Sequence, residues 1–299
     1  MVKRLISSNA SDILIMTAKE LKQSISSSEG RIIMSENVVF REAFVDDITN
    51  AELAKAFGAD MILLNGIDVL NPVINGLPDS KESFVKTLHN LVGRPIGVNL
   101  EPVDETAEMA ETRLEIVEGR KASLKTIQEI EKLNLDFVCF TGNPGTGVSN
   151  KEIIETVKVA KEHFSGLIIA GKMHGAGATE RIIDEATVDA FIDAGADIIL
   201  VPAVGTVPGF DMEDLKPIVK RAHERDTLVL SAIGTSQESS DPDTIKQIAI
   251  QNKICGVDIQ HIGDAGYAGV APVENIFAIS KAIRGMRHTA SMIARSVNR

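Results

Sequence analysis

The chain has 299 residues, 44% of them apolar, and a formal net charge of −11. That apolar fraction supplies a large core for one domain, no apolar run reaches membrane length, and the acidic balance argues against nucleic acid as a partner. The start, Met1-Val2-Lys3-Arg4, leads into no signal-peptide core, and Cys139 and Cys255 lack paired spacing, so a cytoplasmic protein with free buried thiols is expected.

The first predicted element is a helix opened by Thr17-Ala18-Lys19-Glu20, which has capping-box spacing, with Leu21 and Ile25 forming its apolar face. It is expected to plug the N-terminal mouth of a barrel. Beyond it a phrase recurs: Gly58-Ala59-Asp60, Asn134-Leu135-Asp136, Gly195-Ala196-Asp197 and Gly256-Val257-Asp258 each precede a short apolar run. The four aspartates are 76, 61 and 61 residues apart. One strand with its crossover helix takes roughly 30 residues, so each interval holds two such units. Strands are expected between the repeats at Ile32–Glu36, Ile96–Glu101, Leu167–Lys172 and Leu228–Ile233.

Eight apolar strands with little polar alternation, each followed by a helix, predict an α/β fold of the (β/α)8 TIM-barrel class. An open doubly wound sheet is the weaker alternative, because no Gly-x-Gly-x-x-Gly follows the first strand. The expected division is a single domain over 1–299: an N-terminal capping helix within 1–29, the barrel over 30–285 and a basic C-terminal tail over 286–299. After Glu274 the chain has no acidic residue but carries Lys281, Arg284, Arg287, Arg295 and Arg299. Anion binding, a solvated last helix and a subunit contact are the readings open to that tail, and a homo-oligomer is expected. The excess length of the first interval falls in Pro102–Gly119, rich in acid (Asp104, Glu105, Glu108, Glu111, Glu115, Glu118); a lid, a subunit contact and a solvated acidic helix are equally open there.

In a barrel the site is built at the C-terminal ends of the strands. Those ends supply Glu36; Asn65 and Asp68; Asn99 and Glu101; Thr141 and Asn143; Lys172 and His174; Thr206; Thr235 and Ser236; His261 and Asp264. Residues two apart share a strand face, which points Asn99 with Glu101, and Lys172 with His174, toward one mouth. Lys172 is the only lysine on a predicted strand, and three roles are open to it: Schiff-base nucleophile, charged binder of a substrate anion, or partner of an ion pair with Glu36 or Glu101. Glu36, Glu101, His174 and His261 are the proton-moving candidates. Glu36, Asp68 and Glu101 are alternatively oxygen ligands for Mg. The loop Gly234-Thr235-Ser236 is expected to bind phosphate, together with Asn65, Asn99, Asn143 and Gly263. Thr141–Asn150 is a second anion loop or a turn ending in a Ser149 helix cap.

Ser28–Arg31, Asn99–Pro102, Thr141–Asn150, Gly171–Gly177, Ile233–Glu238, His261–Gly266 and Ile283–Thr289 together resemble the blocks of an uncharacterised bacterial TIM-barrel family. Members of that family are sometimes named phosphoenolpyruvate phosphonomutase-like or haloacid dehalogenase-like. The resemblance spans essentially the whole chain and implies a barrel. The expected function is a lyase or isomerase acting on a small anionic, phosphorylated metabolite; the alternatives are an Mg-dependent, enolate-forming phosphonomutase-like enzyme and a barrel that only binds a metabolite.

Overall fold

The computed structural model describes residues 2–110 and 112–299; Met1 of the N-terminal segment and Glu111 of the acidic stretch lie outside the described residues. Eight strands, β1 (Ile32–Val38), β2 (Met61–Asn65), β3 (Ile96–Leu100), β4 (Phe137–Phe140), β5 (Leu167–Gly171), β6 (Ile198–Pro202), β7 (Leu228–Ile233) and β8 (Ile259–Ile262), form a closed barrel in chain order. Every neighbouring pair is parallel, and β1 closes on β8 with Ile32 beside Ile259 and Ser35 beside Ile262. Two helices precede the barrel, α1 (Ala10–Ile13) and α2 (Ala18–Ser26). The crossovers are α3 (Asn50–Ala56), α4 (Phe84–Val92), α5 (Leu124–Lys132), α6 (Asn150–His163), α7 (Glu185–Ala194), α8 (Met212–Glu224) and α9 (Pro242–Cys255), and α10 (Val273–Ala294) follows the last strand. From α3 to α9 the helices open on Thr49, Ser83, Ser123, Ser149, Asp184, Asp211 and Asp241, whose side chains each accept a first-turn amide.

Strand alternation divides the apolar side chains into two layers. Ile33, Leu64, Val98, Val138, Ile168, Ile199, Val229 and Ile262 face the helices. Ile32, Met34, Met61, Leu63, Phe137, Cys139, Ile169, Leu200, Leu230 and Ile259 fill the interior, where Leu5, Ile6, Ile13, Leu21 and Ile25 join them from below. The N-terminal helices therefore plug the barrel as expected, and the Thr17 hydroxyl and Glu20 carboxylate close the capping box on α2. Gly97 occupies an interior position because the Phe137 ring takes the space: a Cβ there would stand 2.2 Å from Phe137 Cδ2.

The recurring aspartate has a structural task. Asp60, Asp136, Asp197 and Asp258 each donate their own amide to the carbonyl of Ile33, Ile96, Ile168 and Val229 respectively. Each carboxylate then accepts the amide of that same residue, at 2.9, 2.7, 3.1 and 2.8 Å. An odd strand is thus stitched to the approach of the next even strand at the N-terminal face, four times over. A cationic or titratable side chain backs each carboxylate: Arg284 at 2.6 Å, His89 at 2.7 Å, Lys161 at 3.8 Å and His223 at 2.8 Å.

The basic segment is folded against the body. The last helix breaks at Gly285 (φ 71°), where only a residue without a Cβ adopts the backbone freely, and its second half returns along the barrel bottom. Met292 is buried against Arg94, Arg295 donates to Asn9, and Arg299 accepts from the Ser11 amide.

Candidate active site

The C-terminal ends of the strands surround a cavity of about 310 Å³. Glu36, Asn65 and Asn99 rise into it from β1, β2 and β3, and Thr141, Asn143, His174, Thr235, Ser236, Glu238, Gly263 and Asp264 complete the wall from the following loops. A groove of about 680 Å³ between the 38–44 and 264–269 loops adjoins it and shares Asp264.

At its floor the His261 ring nitrogen Nε2 lies 3.0 Å from Glu36 Oε2, both side chains being buried. The angle does not make a hydrogen bond, and neither imidazole nitrogen has a partner among the described residues. Burial, with the charges of Glu238 and Glu101 added, pushes Glu36 up to about 8. Burial pulls His261 down to about 4, against the pull of Glu238 and Asp264. Near neutrality the pair is therefore a carboxylic acid beside an uncharged imidazole. Asp264 is raised to about 7 by burial and by Glu36, with the Asn65 amide opposing. Glu238 is raised by burial as well.

An amide hub joins β2, β3 and the loop after β4. Asn65 Nδ2 donates to Asn143 Oδ1 (2.9 Å) and Asp264 Oδ2 (2.8 Å), while Asn65 Oδ1 accepts from Asn143 (3.0 Å) and Asn99 (3.2 Å). Glu101 stands behind the hub, held by Arg120 (2.7 Å) and the Asn143 amide (2.9 Å). Asn143 is thereby fixed in both backbone and side chain.

Several expected residues meet here and others do not. Glu36, Asn65, Asn99, Asn143, Thr235, Ser236 and Gly263 line the cavity, with His174 at its rim and His261 beneath. Gly234 packs on Met173, and the Thr235 hydroxyl is spent on the carbonyls of Thr206 and Gly234. Lys172 departs from the expected geometry. β5 ends at Gly171, alternation turns Lys172 away from the interior, and its buried ammonium pairs with Glu180 rather than with Glu36 or Glu101. His174 Nδ1 accepts the Ala176 amide at 2.9 Å, and burial, then the Lys172 charge, lowers its proton affinity. Asp68 accepts the amides of Leu70 and Asn71 and shapes its own loop. With Glu101 committed to Arg120 and Asp68 turned to its loop, the expected Mg donors do not gather. Among the described residues no three His, Cys, Asp or Glu side chains are set to hold a metal ion.

The acidic stretch after β3 forms no α-helix among its described residues. It is a strap laid across the rim: the amides of Asp104, Ala110 and Leu114 donate to the carbonyls of Gly147, Gly177 and Gly145. Asp104 also accepts from Ser149, the cap of α6, at 2.7 Å. The Thr141–Asn150 turn is thus the helix cap of the second reading.

Glu238 is the wall residue that sequence reasoning did not single out. It lies in a 3-10 turn (Gln237–Ser239) after the β7 loop, and its only signal was membership of the Ile233–Glu238 block. Asp264 was visible as a strand-end carboxylate, and Arg120, 19 residues from its partner Glu101, carried no signal at all.

A closed parallel barrel with buried carboxyl groups at its C-terminal mouth defines the class. The chain belongs to the family described as "Domain of unknown function (DUF7916)", whose model matches residues 6–299. No curated protein matches the chain. Among solved structures it is similar to 2,3-dimethylmalate lyase, a PEP mutase/isocitrate lyase superfamily member (13% identity, 84% of this chain and 81% of that one, TM-score 0.52). A Burkholderia cenocepacia J2315 protein provisionally called a lyase/mutase matches at 14% identity over 97% and 98% of the two chains, TM-score 0.52. Phosphonopyruvate hydrolase, solved with oxalate and Mg++, matches at 15% identity over 90% and 85%, TM-score 0.48. The first two likenesses agree with the barrel fold; neither is a haloacid dehalogenase, and that part of the resemblance has no support.

No described helix is long and apolar enough to cross a membrane.

Proposed function

We propose that the barrel is a lyase or isomerase that moves protons on a small polar metabolite held in the 310 Å³ cavity. The observation that carries this reading is the buried Glu36–His261 contact, with Asp264 lining the same small cavity as Glu36. Two carboxyl groups whose proton affinities lie near neutrality, beside an uncharged imidazole, form a set able both to give and to take a proton at working pH. Glu36 is the proton donor, Asp264 the base, and His261 the group that accepts or relays the Glu36 proton. The hub of Asn65, Asn99 and Asn143 orients substrate oxygens, and the buried Thr141 hydroxyl, which lacks a partner among the described residues, is free to bind one. The 2,3-dimethylmalate lyase likeness agrees in reaction type.

A phosphorylated substrate finds less support. No lysine or arginine is among the described residues lining the cavity, and Asp264 and Glu238 stand beside the loop expected to hold phosphate. Incubation with small hydroxy, keto and amino metabolites in D2O tests the reading. Proton transfer exchanges a substrate C–H even without net turnover, so mass spectrometry should find deuterium incorporated by the wild type and lost with Glu36→Gln. Equal exchange in that variant would reject the assignment.

A further inference from the structure

The hydrogen bonds of the cavity leave side-chain acceptors unpaired. Several of its donors are consumed internally, leaving the Thr141 hydroxyl as an unpartnered one among the described residues: the amides of Asn143 and Ala265 go to Glu101 and Glu238, that of Gly263 to Ile233, that of Ala176 to His174, and the side-chain amide of Asn65 to Asn143 and Asp264. Acceptors are left over. Asn99 Oδ1 and Glu238 Oε2 belong to side chains only 3% exposed, line the cavity and have no partner among the described residues. Buried acceptors without donors are costly and rare in folded proteins, and their usual resolution is a ligand or an ordered water.

Charge points the same way. Glu238 and Asp264 share the wall beside the uncharged Glu36, no lysine or arginine lines it among the described residues, and Lys172 and Arg120 are paired with Glu180 and Glu101. A phosphate or a second carboxylate would enter against like charge in a poorly solvated space. A group with several N–H donors and a positive charge would answer both the leftover acceptors and the unbalanced carboxylates.

We infer that the cavity receives the cationic end of its substrate, an ammonium group seated against Glu238, Asp264 and Asn99. The inference rests on the proton-transfer reading only for the word substrate; the seat itself is a matter of binding. It places the amino group on the Asp264 side and leaves Glu36 and His261 facing the remainder of the molecule. The wall thus selects small amino compounds over small dianions of equal length.

Three probes of one four-carbon chain separate charge from size: putrescine, succinate and the neutral diol. Thermal unfolding and calorimetry at matched ionic strength should show putrescine stabilising the protein and the other two without effect. Glu238→Gln keeps the shape and the acceptor for the Ala265 amide, and should weaken putrescine by about tenfold, the cost of roughly one charge-assisted hydrogen bond. In the wild type the same affinity should fall as pH is lowered through about 7, where Asp264 takes up its proton. Absence of putrescine binding, equal stabilisation by succinate or by magnesium chloride, or unchanged affinity in both the variant and the pH series would overturn the inference. Deuterium exchange is scored apart, so loss of exchange with putrescine binding intact removes the enzyme and keeps the seat.

Discussion

The His261 imidazole and the Glu36 carboxyl meet 3.0 Å apart in the floor of the barrel mouth, and burial keeps both uncharged near neutrality. This arrangement fixes how stability depends on pH. Glu36 holds its proton up to about 8 in the folded chain but releases it near 4.5 when unfolded, so the folded state binds more protons between those values. Stability therefore falls as pH rises through that window, with a limiting slope of about 1.4 kcal/mol per pH unit for one such proton. Asp264 acts in the same sense between 3.8 and about 7. His261 acts oppositely, because its folded affinity is depressed from 6.5 to about 4 and stability is lost as pH falls through that range. Urea unfolding of Glu36→Gln from about pH 5 to about pH 8 should show a shallower decline than wild type. Parallel curves would mean that Glu36 is ionised in the folded protein.

Much of this was legible in the chain. The Asp60, Asp136, Asp197 and Asp258 spacing gave the eightfold count because the aspartate does one mechanical thing at every second strand, and an identical task leaves an identical residue. Position at the strand ends likewise placed Glu36, Asn65, Asn99 and His261 at the mouth, and the alternation of each strand turns them inward with the interior apolar residues. Lys172 failed by that same rule. Ile169 and Gly171 face inward, so Lys172 cannot, and the expected strand ran one residue too far. Glu238 and Asp264 come from loops whose course depends on packing between distant segments, such as Asn65 on Asp264, 199 residues apart. No local pattern encodes that meeting.

The buried Arg284–Asp60 pair should be a principal stabilising contact of the barrel bottom. Both side chains are fully buried, Arg284 also reaches Gly58 and Ser280, and Asp60 accepts the Ile33 amide. Arg284→Met strands a buried carboxylate and should cost about 3 to 5 kcal/mol in denaturant unfolding. Adding Asp60→Asn removes that charge and keeps an acceptor for Ile33, so the double variant is expected to be more stable than Arg284→Met alone. A double variant that is less stable would show that the aspartate matters through its charge rather than through its stitch.

The Lys172–Glu180 pair makes an asymmetric prediction. Lys172 is buried, whereas the Glu180 side chain is 34% exposed. Glu180→Ala leaves an ammonium buried without a partner and should destabilise by about 3 kcal/mol. Lys172→Met leaves only a partly solvated carboxylate and should cost less than the glutamate change. Borohydride with carbonyl metabolites should leave Lys172 unlabelled, because the side chain is turned from the cavity. Mass attached at Lys172 would restore the imine chemistry.

Asn65 tempers the raised proton affinity of Asp264. Its Nδ2 donates to Asp264 Oδ2 at 2.8 Å, a bond that favours the ionised carboxylate and works against burial and the neighbouring Glu36 carboxyl. Removing a hydrogen bond to a charged group forfeits about 1.5 kcal/mol or more, equivalent to about one pK unit. Asn65→Ala should therefore move Asp264 from about 7 to a value above it, read by carbon NMR titration of the labelled aspartate carboxyls. The base would then be protonated at neutrality, and deuterium exchange should shift to higher pH by the same interval. Were the NMR midpoint to rise while the exchange profile stayed in place, Asp264 would not be the base, and Glu238, the other raised carboxyl on that wall, would take its role.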